Sequence, residues 1–119
     1  MKDAFDVSDW KETKRKLLEK DIENPCKAKA RKKDWYVRKY KSPSQKSAPD
    51  DIFAKQRPDG GSHVFFVEFK APGKKPTPKQ LDEHDVMRKA GLTVYVCDDL
   101  AEFDNILAIE DAKREGDWA

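Results

Sequence analysis

A turn of five residues, Pro58-Asp59-Gly60-Gly61-Ser62, separates two runs suited to strands, and no other segment constrains the fold as strongly. Gly, Pro and Asp supply the backbone freedom and fixed angles of a tight reversal. The flanking runs, Asp51 to Gln56 and His63 to Lys70, are therefore expected to pair as an antiparallel hairpin. Side chains alternate between the two faces of a strand, so Glu68 and Lys70 project together while Phe69 points the other way. Pro49-Asp50-Asp51 lies at the start of the first strand. A hairpin of this kind can bring Asp50 and the Glu68-x-Lys70 pair into one small volume.

The remaining elements follow from periodicity and end signals. Ser8-Asp9 suits a helix N-cap, and Trp10, Leu17, Leu18 and Ile22 recur at roughly helical spacing. Pro25 either kinks this helix or begins a new one with Asn24 as its cap. Trp35 to Tyr40 reads as the first strand. Lys41 to Ser47 is a basic loop, and Ala71 to Pro76 is another. Thr77-Pro78-Lys79-Gln80 carries an N-cap, a first-position proline and a capping-box glutamine, predicting a helix to about Ala90 with Gly91 as its stop. Thr93 to Cys97 is expected to be a central, buried strand, and Asp99 to cap a helix from Leu100 to about Ala112. From Lys113 onward the tail is expected to be loose. The order is α-β-β-β-α-β-α in one domain, residues 1–119, with no internal repeat.

Composition limits what such a fold can do. With 119 residues, 40% of them charged and 37% hydrophobic, the chain can bury one modest core under a heavily ionised surface. No apolar run approaches a membrane span, and Met1 to Asp6 is too polar for a signal peptide. Cys26 and Cys97 match no zinc spacing and are expected to be buried, reduced thiols of an intracellular protein. Lys and Arg outnumber Asp and Glu by 15 to 8 in residues 1–47 and fall behind by 10 to 15 in residues 48–119. A solvated basic helix explains the first imbalance by itself. Set beside an acidic motif, the imbalance also suits a phosphate-gripping surface.

The chemistry follows from the residue types. Two carboxylates and one ammonium in one place suit a hard divalent cation beside a phosphodiester. Asp50 and Glu68 are the expected metal ligands, with the backbone carbonyl of Phe69 as a third, and the cation is Mg²⁺ or Mn²⁺. Lys70 would stabilise negative charge at the reacting phosphate. An exposed Glu68–Lys70 strand pair is the bland alternative, and Pro49-Asp50 one strand earlier weakens it. Gln80 serves either as the capping-box residue or in catalysis. Lys41, Lys46, Lys74 and Lys75 lie in loops flanking the motif and suit contacts to a DNA backbone. His84 falls one turn beyond Gln80 and reads more readily as structural than as a phosphate contact. His63 reads as incidental.

Pro49-Asp50 followed by Glu68-Phe69-Lys70 resembles the PD-(D/E)XK nuclease superfamily, as does the α-β-β-β-α-β order. The run from Val67 to Pro76, with Gln80, His84 and Gly91 after it, is similar to a stand-alone VRR-NUC domain of phage type. The similarity spans about residues 17–107, and Ser47-Ala48 departs from the family's usual Gly-x before Pro-Asp. It implies an α/β, restriction-endonuclease-like fold, a small mixed sheet flanked by helices. It further implies a metal-dependent endonuclease acting on DNA, selective for branched DNA in the manner of a Holliday-junction resolvase, and a homodimer without a nucleotide cofactor. The setting would be the cytoplasm of a bacterium or phage-infected host. The family also carries a glutamate in the first helix and a glutamine after the E-x-K strand. Gln80 matches the second. Glu23 keeps the interval to Trp35 found in archaeal Holliday-junction resolvases and is preferred for the first, with Glu19 as runner-up. A non-catalytic DNA-binding module, or a subunit aimed by a partner, is the competing class of function.

Overall fold

The computed structural model describes residues 17–40 and 46–116. The expected helix start at Ser8-Asp9 lies outside them. The elements are α1 (Glu19–Lys32), β1 (Tyr36–Lys39), β2 (Asp51–Gln56), β3 (Ser62–Phe69), α2 (Pro78–Lys89), β4 (Val94–Cys97) and α3 (Leu100–Arg114). The strands form one mixed sheet in the order β1-β2-β3-β4. The first three are antiparallel neighbours, and β4 runs parallel to β3 after the α2 crossover. No described helix is long and apolar enough to cross a membrane.

The hairpin forms where the turn chemistry puts it. Gly60 takes φ 92°, a left-handed conformation open to glycine at little cost. Arg57 N donates to Gly61 O at 2.7 Å, and Asp59 Oδ1 accepts from Gly61 N at 2.9 Å. The register pairs Asp51 with Val67 and Phe53 with Phe65. Phe53, Phe65, Val67 and Phe69 consequently share the face packed by Ile22, Cys26 and Ala30 of α1 and by Phe103, Ile106 and Leu107 of α3. Phe53 stacks on Phe65 with ring centroids 4.8 Å apart. The α3 residues Phe103, Ile106, Leu107 and Glu110 follow the i, i+3, i+4, i+7 stripe of a helix with one buried face. On the opposite sheet face, Phe66, Met87 and Val94 make a smaller cluster beneath α2.

Several details differ from the expectations. Of the two readings of Pro25, the start of a new helix is excluded, since Pro25 sits inside a single 14-residue helix. It cannot donate to the carbonyl of Asp21, but Ile22, Cys26 and Ala30 are buried on either side of it, and their packing carries the helix through. The strand β4 is at the sheet edge, because β1, β2 and β3 extend the sheet in the other direction. At four residues it is short, which limits pairing with another chain. The helix α3 continues past Ala112, held at its end by Arg114, whose Nη1 donates to Gln56 O at 2.8 Å. Cys26 and Cys97 are both buried and free, and they meet across the interface between α1 and β4.

His63 is not incidental. Its Nε2 is 2.7 Å from Oε1 of the buried Glu110, and Tyr95 donates its hydroxyl to the other carboxylate oxygen at 2.5 Å. This arrangement ties α3 to β3 and β4 at the end of the sheet far from Lys70.

Candidate active site

The strand alternation delivers its first consequence at the end of β3. Phe69 enters the main core against Phe53 and Phe103, at 6.5 and 5.9 Å between ring centroids. Glu68 therefore faces the α2 side, where it is almost wholly buried. Lys70 Nζ lies 4.0 Å from Glu68 Oε2. Asp50, immediately before β2, reaches across so that its Oδ2 accepts from Phe69 N at 2.8 Å. The three residues anticipated from the motif stand together.

Gln80 performs two jobs rather than one. Thr77 Oγ1 accepts from Gln80 N at 3.1 Å, and Gln80 Oε1 accepts from Thr77 N at 2.9 Å, completing the capping box. The free amide end, Nε2, donates to Glu68 Oε2 at 3.2 Å. Capping thus fixes the same side chain that holds the carboxylate.

The helix carboxylate is where the structure departs from the sequence reading. Glu23 is not brought to Asp50 and Glu68. It is buried one turn further along α1, with Oε2 at 2.7 Å from Lys39 Nζ and 3.6 Å from Lys27 Nζ. Lys27 Nζ also lies 3.1 Å from Oδ1 of Asp51, which is fully buried. The residue that faces the cluster is Glu19, close enough to feel the charges of Asp50 and Lys70. Position i+4 on the same stripe falls about 6 Å further along the axis, beside β1 and β2 instead of the sheet end. Counting turns back from Trp35 missed this, because the chain reverses tightly after Lys32, with Asp34 at φ 69° and Trp35 N bonded to Ala30 O.

Electrostatics separate these two groups of acids. Burial, then the Asp50 charge, push the Glu68 carboxyl up to about 8, against the opposing pull of Lys70. Burial and Asp50 raise Glu19 as well. In the second group, burial and the hydrogen bond with Glu23 push Asp51 up to about 7, with Lys27 pulling the other way. Burial opposes ionisation of Glu23 too, but hydrogen bonds from Asp51 and Lys39 outweigh it and hold the group below its ordinary range. Glu23, Asp51 and Lys27 therefore form a buried brace, joined from the surface by the half-exposed Lys39, that fastens α1 to β1 and β2 behind the cluster.

The donor set was compared with a divalent cation on its own chemistry. Asp50 and Glu68 offer hard oxygen donors, and Glu68 Oε1 is buried without a hydrogen-bond partner among the described residues. Among those residues, no group of three or more Asp, Glu, His or Cys side chains is arranged to hold a metal ion. Mg²⁺ asks for less, since it keeps several waters and is commonly held by one or two carboxylates. The pair fits it. Of the anticipated DNA contacts, Lys46, Lys74 and Lys75 are exposed; Lys41 lies outside the described residues.

No protein-family model matches the chain. A protein described as "Putative nuclease p44" from Acyrthosiphon pisum secondary endosymbiont phage 1 is 39% identical over 84 residues, 71% of this chain and 86% of the relative. A solved structure described as a VRR_NUC domain superposes with a TM-score of 0.66 at 30% identity, covering 76% of this chain and 94% of that one.

The buried brace yields a prediction. Replacing Lys27 with Met would leave Asp51 and Glu23 without their shared ammonium, at a cost of about 3–5 kcal/mol. Because Asp51 is protonated below about 7, the cost should shrink as pH falls from 8 to 5. Urea unfolding at both values measures it, and an equal, small loss at each would contradict the brace.

Sheet order, helix placement and the similarity to a phage nuclease and to a solved VRR_NUC domain lead to one assignment: the chain belongs to the VRR-NUC nuclease family, with the restriction-endonuclease-like fold.

Proposed function

We propose that this protein is a divalent-metal-dependent endonuclease that hydrolyses DNA phosphodiester bonds. The observation that carries the reading is the meeting of Asp50, whose Oδ2 accepts from Phe69 N, with the Glu68–Lys70 pair, Glu19 being near enough to be raised by the Asp50 charge. Three carboxylates gathered at the end of a sheet repel one another, and burial worsens the cost. A proton held on Glu68 relieves part of that cost in the metal-free fold, and a bound cation would take its place.

Asp50 and Glu68 would hold Mg²⁺ or Mn²⁺, with the Phe69 carbonyl as a third oxygen donor. When bound, the cation supplies charge neutralisation at the scissile phosphate and acidifies water. Lys70 holds its ammonium next to Glu68, where it stabilises the negative charge that develops on the phosphoryl oxygens. Glu19, near enough to be raised by the Asp50 charge, would orient an attacking water or receive its proton. Gln80 keeps the Glu68 carboxylate in one rotamer through its amide. Lys46, Lys74 and Lys75, with Lys41, would carry the DNA backbone towards the site. The preference for branched DNA and the homodimer follow from VRR-NUC kinship, since paired symmetric cuts call for two sites related by a two-fold axis.

A cleavage panel tests this. Four-way junction, fork, flap and linear duplex DNA are incubated with Mg²⁺, with Mn²⁺ and with chelator. Junctions should be cut most readily, and chelator should stop all cutting. Glu19→Gln should lower the rate by about 10²–10⁴-fold, the range for loss of a positioned proton acceptor. Cutting that persists in chelator would refute metal dependence, and equal cutting of duplex and junction would refute branch selectivity.

The raised pKa of Glu68 supplies a second test. Its folded value, about 8, lies above the ordinary 4.5, so the metal-free fold holds a proton that the unfolded chain has released across that window. Metal-free stability should consequently fall as pH rises from 4.5 to 8. A cation must displace the same proton, so the increase in Tm given by Mg²⁺ should be larger at pH 8.5 than at pH 5.5. A thermal shift independent of pH would contradict Glu68 as the ligand.

A further inference from the structure

One side chain at the site has no role in the account above. His84 is fully buried, and neither ring nitrogen has a hydrogen-bond partner among the described residues. Its Nε2 stands 3.5 Å from Glu68 Oε1, an oxygen that is itself without a hydrogen bond. A donor and an acceptor, each buried and each unsatisfied, thus face one another across slightly more than hydrogen-bond distance. A residue present only to fill space would be better served by Leu or Met, which bury no unmet polar atom.

The helix explains the alignment. Gln80 and His84 are one turn apart on α2, so their side chains lie on the same face. Gln80 Nε2 already donates to Glu68 Oε2 at 3.2 Å. His84 is placed at the other oxygen. One helix face therefore addresses both oxygens of a single carboxylate, and a small movement of the ring or the carboxylate closes the second contact. Each oxygen would then keep a lone pair for a cation while the plane of the carboxylate is fixed.

We propose that His84 is a positioning residue for the metal ligand Glu68, donating from Nε2 to Oε1 so that Gln80 and His84 together clamp the carboxylate in its metal-binding orientation. This rests on the metal-dependent reading of the site. Partners behind a metal ligand commonly act this way, and losing one typically costs 10–100-fold in affinity or activity.

Calorimetric titration of the whole protein with Mn²⁺ tests the clamp without relying on turnover. The variants are His84→Leu, which keeps an apolar side chain in the space, His84→Gln, whose amide nitrogen can stand near the Nε2 position, and Glu68→Gln as the ligand control. Wild type should bind and Glu68→Gln should not. His84→Leu should bind about 10–100-fold more weakly, while its metal-free Tm is no lower than that of wild type; His84→Gln should recover most of the affinity. If His84→Leu does not fold, His84→Met makes the same comparison. Wild-type affinity in the apolar variant, or no recovery in His84→Gln, would overturn the clamp and leave the metal site standing. Absence of Mn²⁺ binding by wild type would overturn the metal reading and the clamp with it.

Discussion

The antiparallel register of β2 on β3 decides where every acid in the functional region stands. With Asp51 opposite Val67, Asp50 falls level with the end of β3, and its carboxylate is fastened to Phe69 N at 2.8 Å. A slip of one residue would exchange the faces of the strand, sending Glu68 into the core and Phe69 to the site. The phenylalanines of β2 and β3 forbid that slip: Phe53, Phe65 and Phe69 must face α1 and α3. Apolar packing on one side of the sheet therefore fixes the chemistry on the other.

Holding carboxylates together carries an electrostatic cost, and the fold divides it between two clusters. Behind the sheet end, Glu23 and Asp51 are met by the ammonium groups of Lys27 and Lys39, although neither Asp51 oxygen makes a hydrogen bond among the described residues. At the sheet end, Glu19, Asp50 and Glu68 have Lys70 as their neighbouring ammonium, 4.0 Å from Glu68 Oε2, and Glu68 Oε1 makes no hydrogen bond among the described residues. The first cluster is structural and keeps α1 in position. The second sets several buried or half-buried carboxylates beside Lys70, and that imbalance is the ground for the proposed cation.

Much of this was legible in the chain. The Pro58-to-Ser62 turn, the Phe-rich alternation and the Thr77-Pro78-Lys79-Gln80 start each act through local chemistry, so they placed the hairpin and α2 within a residue or two. The grouping of Asp50, Glu68 and Lys70 followed from strand alternation together with the hairpin that folds β3 back along β2. What failed depends on tertiary packing. The choice between Glu19 and Glu23 turns on how α1 joins β1 through the left-handed Asp34, and no helical count conveys that. The edge position of β4 is invisible because its apolar sequence reflects helices packed on its faces, not strands on both sides. Glu110 gave no signal either, since two of the partners that make its burial tolerable, His63 and Tyr95, come from two different strands and meet it only in the folded sheet.

The central claim is that Asp50 and Glu68 share one divalent cation at the sheet end. Anomalous diffraction from crystals grown with Mn²⁺ addresses it directly. The account predicts a peak within coordination distance of both carboxylates, abolished by Glu68→Gln with Asp50 still in place. A Mn²⁺ peak elsewhere on the molecule, or one that survives the substitution unchanged, would contradict it.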